Sequence, residues 1–416
     1  MRAIAVFSVL LIVSASASAQ APTGSGQIPV EERLKALEEK IRALEAEVQA
    51  LRAAQTPAPT GEAATAAGPV AAPTAATTPT GAQLPVYGGS SAAGTNVLNP
   101  GLSVIGNFLG RMGRNRVRPV RTLEMHETEI ALQAIVDPFA RADFFVSVTP
   151  EGVELEEGFL TFTSLPGGLV AKVGKMRAAF GKVNALHNDG LPWADRPLVT
   201  ENLVAGEEGI NDAGFSVSRI FAGPRNLFLE ATGEVFRGES EDLFTPTRQR
   251  DVSVVGHFRG YKDLSESTNI DLGFSYARGY NDAGPDLTTN LYGVDATFRW
   301  KPLRRAIYNS FLARAEFVWS QREEIGFTQR AFGFYTSGEY RLNRRWTVGG
   351  RYDRSERALA ANETDNGFSA ILTYWPSEFS QIRGQYRFAR YFGKQDANEL
   401  RFQFLFNLGA HGAHPF

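Results

Sequence analysis

Residues 399–408 read ELRFQFLFNL. Leu400, Phe402, Phe404, Phe406 and Leu408 are all large and apolar, whereas Glu399, Arg401, Gln403 and Asn407 are polar, with Leu405 the exception. A period of two describes a strand with one apolar and one polar face. The fold turns on what the apolar face meets: the packed interior of a secreted sandwich or propeller, or lipid around a barrel. Composition does not separate these. A net charge of −2, 43% hydrophobic residues and a mean hydropathy of −0.20 suit a soluble enzyme and equally a barrel in which only alternate residues face lipid. The 41 glycines, 29 phenylalanines and 12 tyrosines fit many turns and much aromatic surface.

The opening MRAIAVFSVLLIVSASASAQ combines Arg2, a short apolar run and Ala17-Ser18-Ala19. This is the pattern of a secretory signal peptide over 1–19, cleaved after Ala19. No stretch reaches about 20 uninterrupted apolar residues, so inner-membrane helices are not expected. The chain contains no cysteine, which excludes disulfides, thiol chemistry and a lipidated terminal cysteine.

Val30, Leu34, Leu37, Ile41, Leu44, Val48 and Leu51 recur at alternating spacings of four and three. That is a heptad seam, and it predicts a coiled-coil oligomerisation helix over 28–54. In parallel register the flanking pairs Arg33–Glu38, Lys40–Glu45 and Glu47–Arg52 are all opposite in sign, favouring self-association. The competing reading is a single amphipathic helix lying on another surface. Residues 55–98, rich in Ala, Pro and Thr with Glu62 as their only charge, predict a flexible linker.

From 101 to 416 one pattern repeats: about ten alternating residues, then a turn. Tight turns are read at Asp137-Pro138, 165–168 (LPGG), 223–225 (GPR), 262–266 (KDLSE), 302–305 (PLRR), 342–345 (LNRR) and 376–378 (PSE). Seven turns pair fourteen strands, and one more strand at each end gives about sixteen, beginning near Leu102–Gly110. The expected fold is an all-β transmembrane antiparallel barrel behind an N-terminal periplasmic coiled coil.

The polar faces fix its orientation. Asp295, Thr297 and Arg299 alternate with Val294, Ala296 and Phe298; Arg351 and Asp353 alternate with Tyr352; Arg383, Gln385 and Arg387 alternate with Tyr386 and Phe388. A dry core rejects such unpaired charge, whereas a water-filled lumen accepts it. Trp300, Trp346 and Trp375 adjoin the tight turns, as an interfacial aromatic girdle requires. The apolar face of 399–408 is therefore assigned to lipid. The expected pore lining further includes Glu127, Glu129, Arg141, Asp143, Lys175, Arg177, Arg314, Glu316 and Arg401, with acidic residues (Glu230 and Glu234 among them) early and basic ones (Arg345 among them) late in the chain.

One connection is long. Residues 178–212 lack a hydrophobic period but carry Leu186, Leu191, Trp193, Leu198, Val199, Leu203 and Val204, so the segment is expected to pack inward as a constriction. Its charged residues are Asp189, Asp195, Arg196, Glu201, Glu207 and Glu208, together with Lys182 and Asp212. Asp189, Asp195, Glu201, Glu207 and Glu208 are expected to oppose the late arginines.

The stretches VGKMRAAFG (173–181), DRPLV (195–199) and GINDAGFSVS (209–218), with the terminal Phe416, resemble the phosphate-selective porin O/P-type family of outer-membrane porins, over about three quarters of the chain. The resemblance implies a trimer of sixteen-stranded barrels, each with the loop after strand 5 folded inward, and a terminal Phe read by the barrel-assembly machinery. It also implies an arginine ladder and lysine-rich loops, from which this chain departs: residues 82–416 hold 37 basic and 38 acidic side chains. Phosphate selectivity is therefore not expected.

The expected function is a passive outer-membrane porin for small hydrophilic solutes or ions, in a Gram-negative-type bacterium with its stalk in the periplasm. Lipid and lipopolysaccharide are the expected surroundings, with no nucleic acid, cofactor or metal. The alternative is a structural anchor whose coiled coil grips peptidoglycan. No nucleophile–base set is readable, so no enzyme is expected, although a barrel lipase or protease would hide its triad across distant strands. His411 and His414 form only a weak metal pair. The arginines of 110–121 (GRMGRNRVRPVR) read equally as a lipopolysaccharide clamp or a solvated basic loop.

Overall fold

A computed structural model describes residues 101–118 and 121–409. The expected signal peptide, coiled coil, linker, His411, His414 and Phe416 lie outside the described residues. Sixteen strands close into one antiparallel barrel. The first five are β1 (Gly101–Arg114), β2 (Leu123–Asp137), β3 (Ala140–Thr149), β4 (Gly152–Leu165) and β5 (Leu169–Arg177). After the long loop come β6 (Asn211–Ala222), β7 (Leu227–Phe236), β8 (Ser253–Ser265), β9 (Thr268–Tyr280), β10 (Thr288–Trp300) and β11 (Ser310–Glu324). The wall ends with β12 (Phe327–Arg341), β13 (Trp346–Arg357), β14 (Ala360–Ser377), β15 (Ser380–Tyr391) and β16 (Gln395–Gly409).

β16 closes the barrel against β1, pairing Phe402 with Gly110, Phe404 with Phe108 and Phe406 with Gly106. Leu400, Phe402 and Leu408 are 52%, 44% and 59% exposed, whereas Glu399, Arg401 and Gln403 are buried. The apolar row thus points outward and the polar row inward. Gly106 shows why the seam needs a glycine: a Cβ there would stand 2.2 Å from the Phe406 ring, which lies across it. An aromatic ring covering a glycine on a neighbouring strand protects the backbone hydrogen bonds at such a seam.

All seven expected turns overlap a connection between strands, although the turns after β8 and β14 are only 266–267 and 378–379 and the one after β10 runs over 301–309. At the opposite end only residues 150–151, 325–326 and 358–359 separate β3–β4, β11–β12 and β13–β14. Polar stretches such as 360–366 continue as hydrogen-bonded strand, paired from β14 to β13. A strand that leaves the apolar belt no longer needs alternation, so its sequence reads as loop although its ladder continues.

The barrel interior is not empty. Met176, Phe180, Val183, Leu191, Trp193, Val199, Leu203, Val204 and Ile210 form one buried cluster with wall residues including Phe145, Phe159, Phe236, Leu291, Tyr335 and Ile371. Most of the first set belongs to the connection between β5 and β6. This connection spans 178–210 and not 178–212, because Asn211 and Asp212 already belong to β6.

Candidate constriction

The loop is closed at its base by Asn184. Its Nδ2 donates to the Ala178 carbonyl (2.9 Å) and its Oδ1 accepts from the Ile210 amide (2.8 Å). From there the chain docks on the wall through backbone amides. Ala179 N–H donates to Glu234 (2.8 Å), Gly181 N–H to Ser275 Oγ (2.9 Å), and the Lys182 and Val183 amides to Glu316 Oε1 (2.5 and 2.8 Å). Gly181 has φ +62°, and a Cβ there would meet the Glu316 carboxylate at 2.9 Å, so this close approach requires glycine. Lys182 Nζ reaches Asp271 (3.0 Å) and Asp295 (3.6 Å).

A short helix, α1 (Leu198–Leu203), follows Pro197 and buries Leu198, Val199 and Leu203 against the wall. Its first amide donates to Asp353 Oδ1 at 3.3 Å. Trp193 meets Tyr335 edge-on at 5.1 Å, and the Arg351 guanidinium lies over its indole at 4.8 Å. Arg196 is spent on the loop itself, donating to Asn188 Oδ1 and to the Val183 and Leu186 carbonyls.

Two charged flanks result. On β13, β15 and β16, Asp195 Oδ2 stands 2.7 Å from Arg387, 3.2 Å from Arg351 and 3.3 Å from Arg401, while Gln385 donates to its Oδ1 at 2.6 Å. Burial alone would raise the Asp195 carboxyl; the three guanidinium groups outweigh it and hold it well below the usual carboxylate range. Arg351 is shared with Asp353 (2.9 Å) and Arg401 with Glu399 (3.1 Å). Nε and Nη2 of Arg387 have no hydrogen-bond partner.

On β2 and β4 the sign reverses. His187 Nδ1 lies 2.6 Å from Glu129 and 3.1 Å from Glu156, and its Nε2 lies 2.6 Å from Glu157. Burial disfavours the imidazolium, but the carboxylates win and raise His187 well above its ordinary value. Nearby, burial and the charge of Glu129 push the Asp189 carboxyl up to about 7.

Between the loop and the β1–β4 wall a polar vestibule of about 520 Å³ is lined by Glu124, Glu127, Glu151, Glu154, Glu156, Glu207 and Glu208 with Arg111 and His126. It meets a neck of about 70 Å³ whose walls carry Arg111, Arg118, Arg196, Arg387 and Arg401 against Asp195, Glu201 and Glu207. Arg111, His126, Asn188 and Glu207 line both.

Of the expected pore-lining set, Glu127, Glu129, Asp143, Asp295, Glu316, Arg351, Asp353, Arg383, Arg387 and Arg401 are buried. Arg141 pairs with Asp143, Arg177 with Glu156, and Arg314 with Glu339. Arg299 lies on the same row as Asp295 and Thr297. Lys175 is a correction. It pairs with Gly158 and Ala213 on the outward row of Val173 and Phe215 and reaches Glu154, while Lys172 takes the inward row over the Phe159 ring. Arg345 is corrected too, since it sits exposed in the turn before β13. So are two of the loop acids. Asp189 stands beside Glu129, and Glu208 beside Arg177, on the acidic flank instead of facing the late arginines. Glu201 pairs with Arg118.

Sequence reasoning missed Glu156, Glu157 and His187 as partners. The β3–β4 register shifts between Phe145 and Val146, so that consecutive glutamates both turn inward. The double glutamate in an alternating strand was the available signal. It also missed the 237–252 connection, where Leu243 and Phe244 are buried.

No family model matches the chain. A protein of Aquifex aeolicus (strain VF5), described as uncharacterized, is 28% identical over 340 residues, covering 71% of this chain and 70% of that protein. Among solved structures, the chain is similar to OprB of Pseudomonas putida (TM-score 0.53, 10% identity, 74% of this chain and 94% of OprB). It is also similar to a loop-deleted OmpT of Vibrio cholerae (0.51, 9%, 74% and 98%) and to the outer membrane channel DcaP of Acinetobacter baumannii (0.50, 12%, 74% and 96%). At these identities the fold is what is shared.

Proposed function

We propose that the chain is a passive outer-membrane channel for small hydrophilic solutes, its selectivity set where the inward loop meets β1, β15 and β16. The observation that supports this reading is the lining shared by vestibule and neck, by which the space beside Glu124 and Glu151 adjoins the one beside Arg387 and Arg401. Five arginines face three carboxylates at the neck. A hydrated solute stripped of part of its water there meets a net positive field, strengthened by the low dielectric of the loop core. The neck therefore favours small anions, carboxylates among them. Phosphate specificity, which the family resemblance would tie to an arginine ladder, is not part of the proposal.

The reading extends to the surroundings. The outward aromatic row supports an outer-membrane position, in lipid and lipopolysaccharide, reached through the barrel-assembly machinery. OmpT of Vibrio cholerae has a structure in trimer form (TM-score 0.50, 8% identity), and we propose the same assembly here. No catalytic step is part of this function.

A second reading, an anchor with a sealed lumen, is favoured by one observation. The loop bonds to β2, β4, β7, β9, β11, β13 and β15, which is most of the circumference. Reconstitution in a planar bilayer separates the two: current steps support the channel, and a folded protein without current supports the anchor.

A further inference from the structure

The acidic flank holds more negative charge than its partners can balance. Glu127, Glu129, Glu156, Glu157 and Asp189 are each at least nine-tenths buried, and the cations among them are His187 and Arg177. Five buried carboxylates against two cations are not all sustained as anions in a low-dielectric interior without bound protons or a further cation. Oxygens of Glu127, Glu129 and Glu156 lie within 4.8 Å of one another, and one of Asp189 lies as close to Glu129 and His187. Two independent details point to a ligand. Asp189 Oδ1 is buried without a hydrogen-bond partner, and Asp189 stands beside Glu129. Both nitrogens of His187 are turned to carboxylates, leaving an oxygen-only donor set.

We propose that Glu127, Glu129, Glu156 and Asp189 bind a calcium-class divalent cation that ties the loop to β2 and β4. Hard oxygen donors suit such an ion, which takes about six to eight of them in a flexible geometry. Magnesium, which demands near-octahedral geometry, keeps its waters and usually takes one or two carboxylates, suits four protein carboxylates less well. Entry is from the vestibule, whose wall includes Glu127 and Glu156. The ligands come from two strands and a loop, and the ion would fix the part of the loop opposite the Asp195 clamp. The inference does not depend on conduction, because a sealed barrel would bind the ion equally.

The test is calorimetric titration of the full chain, folded in detergent and stripped by chelator, with calcium chloride. One ion per chain is expected. Asp189→Asn and Glu156→Gln should each weaken binding at least tenfold, while the double change Glu151→Gln and Glu154→Gln, at the exposed rim of the vestibule, should alter it less than twofold. Folding of each variant is checked by far-ultraviolet circular dichroism. Absence of calcium binding by the folded wild-type chain overturns the proposal and would mean that shared protons balance the cluster. Undiminished binding by folded Asp189→Asn, or loss of binding in the rim variant, overturns it as well.

Discussion

Asp195 Oδ2, on the inward loop, lies 2.7 Å from Arg387 Nη1 on β15, and among the described residues no other carboxylate comes within ion-pair distance of Arg387. One loop carboxylate thereby holds a group of three guanidiniums on the wall. Removing one partner of a buried ion pair costs about 3–5 kcal/mol, because the remaining charge stays desolvated. Asp195→Asn should loosen this side of the loop and leave the neck more positive. Single-channel recording should show added open-state noise and a stronger preference for chloride over potassium. A quiet channel with wild-type selectivity would contradict the clamp.

Selectivity should follow position more closely than charge count. Arg387 and Arg111 line the neck, whereas Arg383 is buried against Gln403, to which it donates at 2.5 Å. Arg387→Gln combined with Arg111→Gln should move the reversal potential under a salt gradient towards cations. Arg383→Gln should move it far less. Equal shifts would place the narrow point elsewhere.

Inside and outside can be tested on one strand. Phe404 lies on the outward row beside Phe108 and Ile382, and Phe404→Arg should cost about 2–4 kcal/mol if it sits near the bilayer midplane. Its neighbour Gln403 accepts from Arg383 and donates to Asn107, so Gln403→Glu should add an ion pair and fold normally. Urea titration in lipid vesicles measures both. Similar stability for the two variants would reverse the assignment of faces.

Alternation made the barrel legible. Residues such as Phe402 and Arg401 disclose their faces without any partner in view, and turns such as 165–168 announce themselves through Pro and Gly. Interior contacts were not legible in the same way. An arginine at 403 looks harmless on a wet face, yet Arg383 occupies that space and would repel it. Nothing in the spacing of Glu129, Glu157 and His187 links them, since the link is made by strand register and a loop returning through the lumen. Lys175 was misassigned because a charge on a strand was read as a lumen charge, whereas its row, shared with Val173, pairs with Ala213 and Phe215 on the outward side. Charge on a strand predicts the lumen; which charges meet depends on topology.

The central claim is that a water-filled path passes the inward loop. Single-channel recording of the full chain in a planar bilayer tests it, alongside a variant lacking residues 186–205, which removes Trp193, Asp195 and α1. The intact protein should give small, stable current steps, and the deletion steps several-fold larger, because the narrowest section is gone. No current from the folded intact chain, with current appearing only after the deletion, would contradict the channel and identify the loop as a seal.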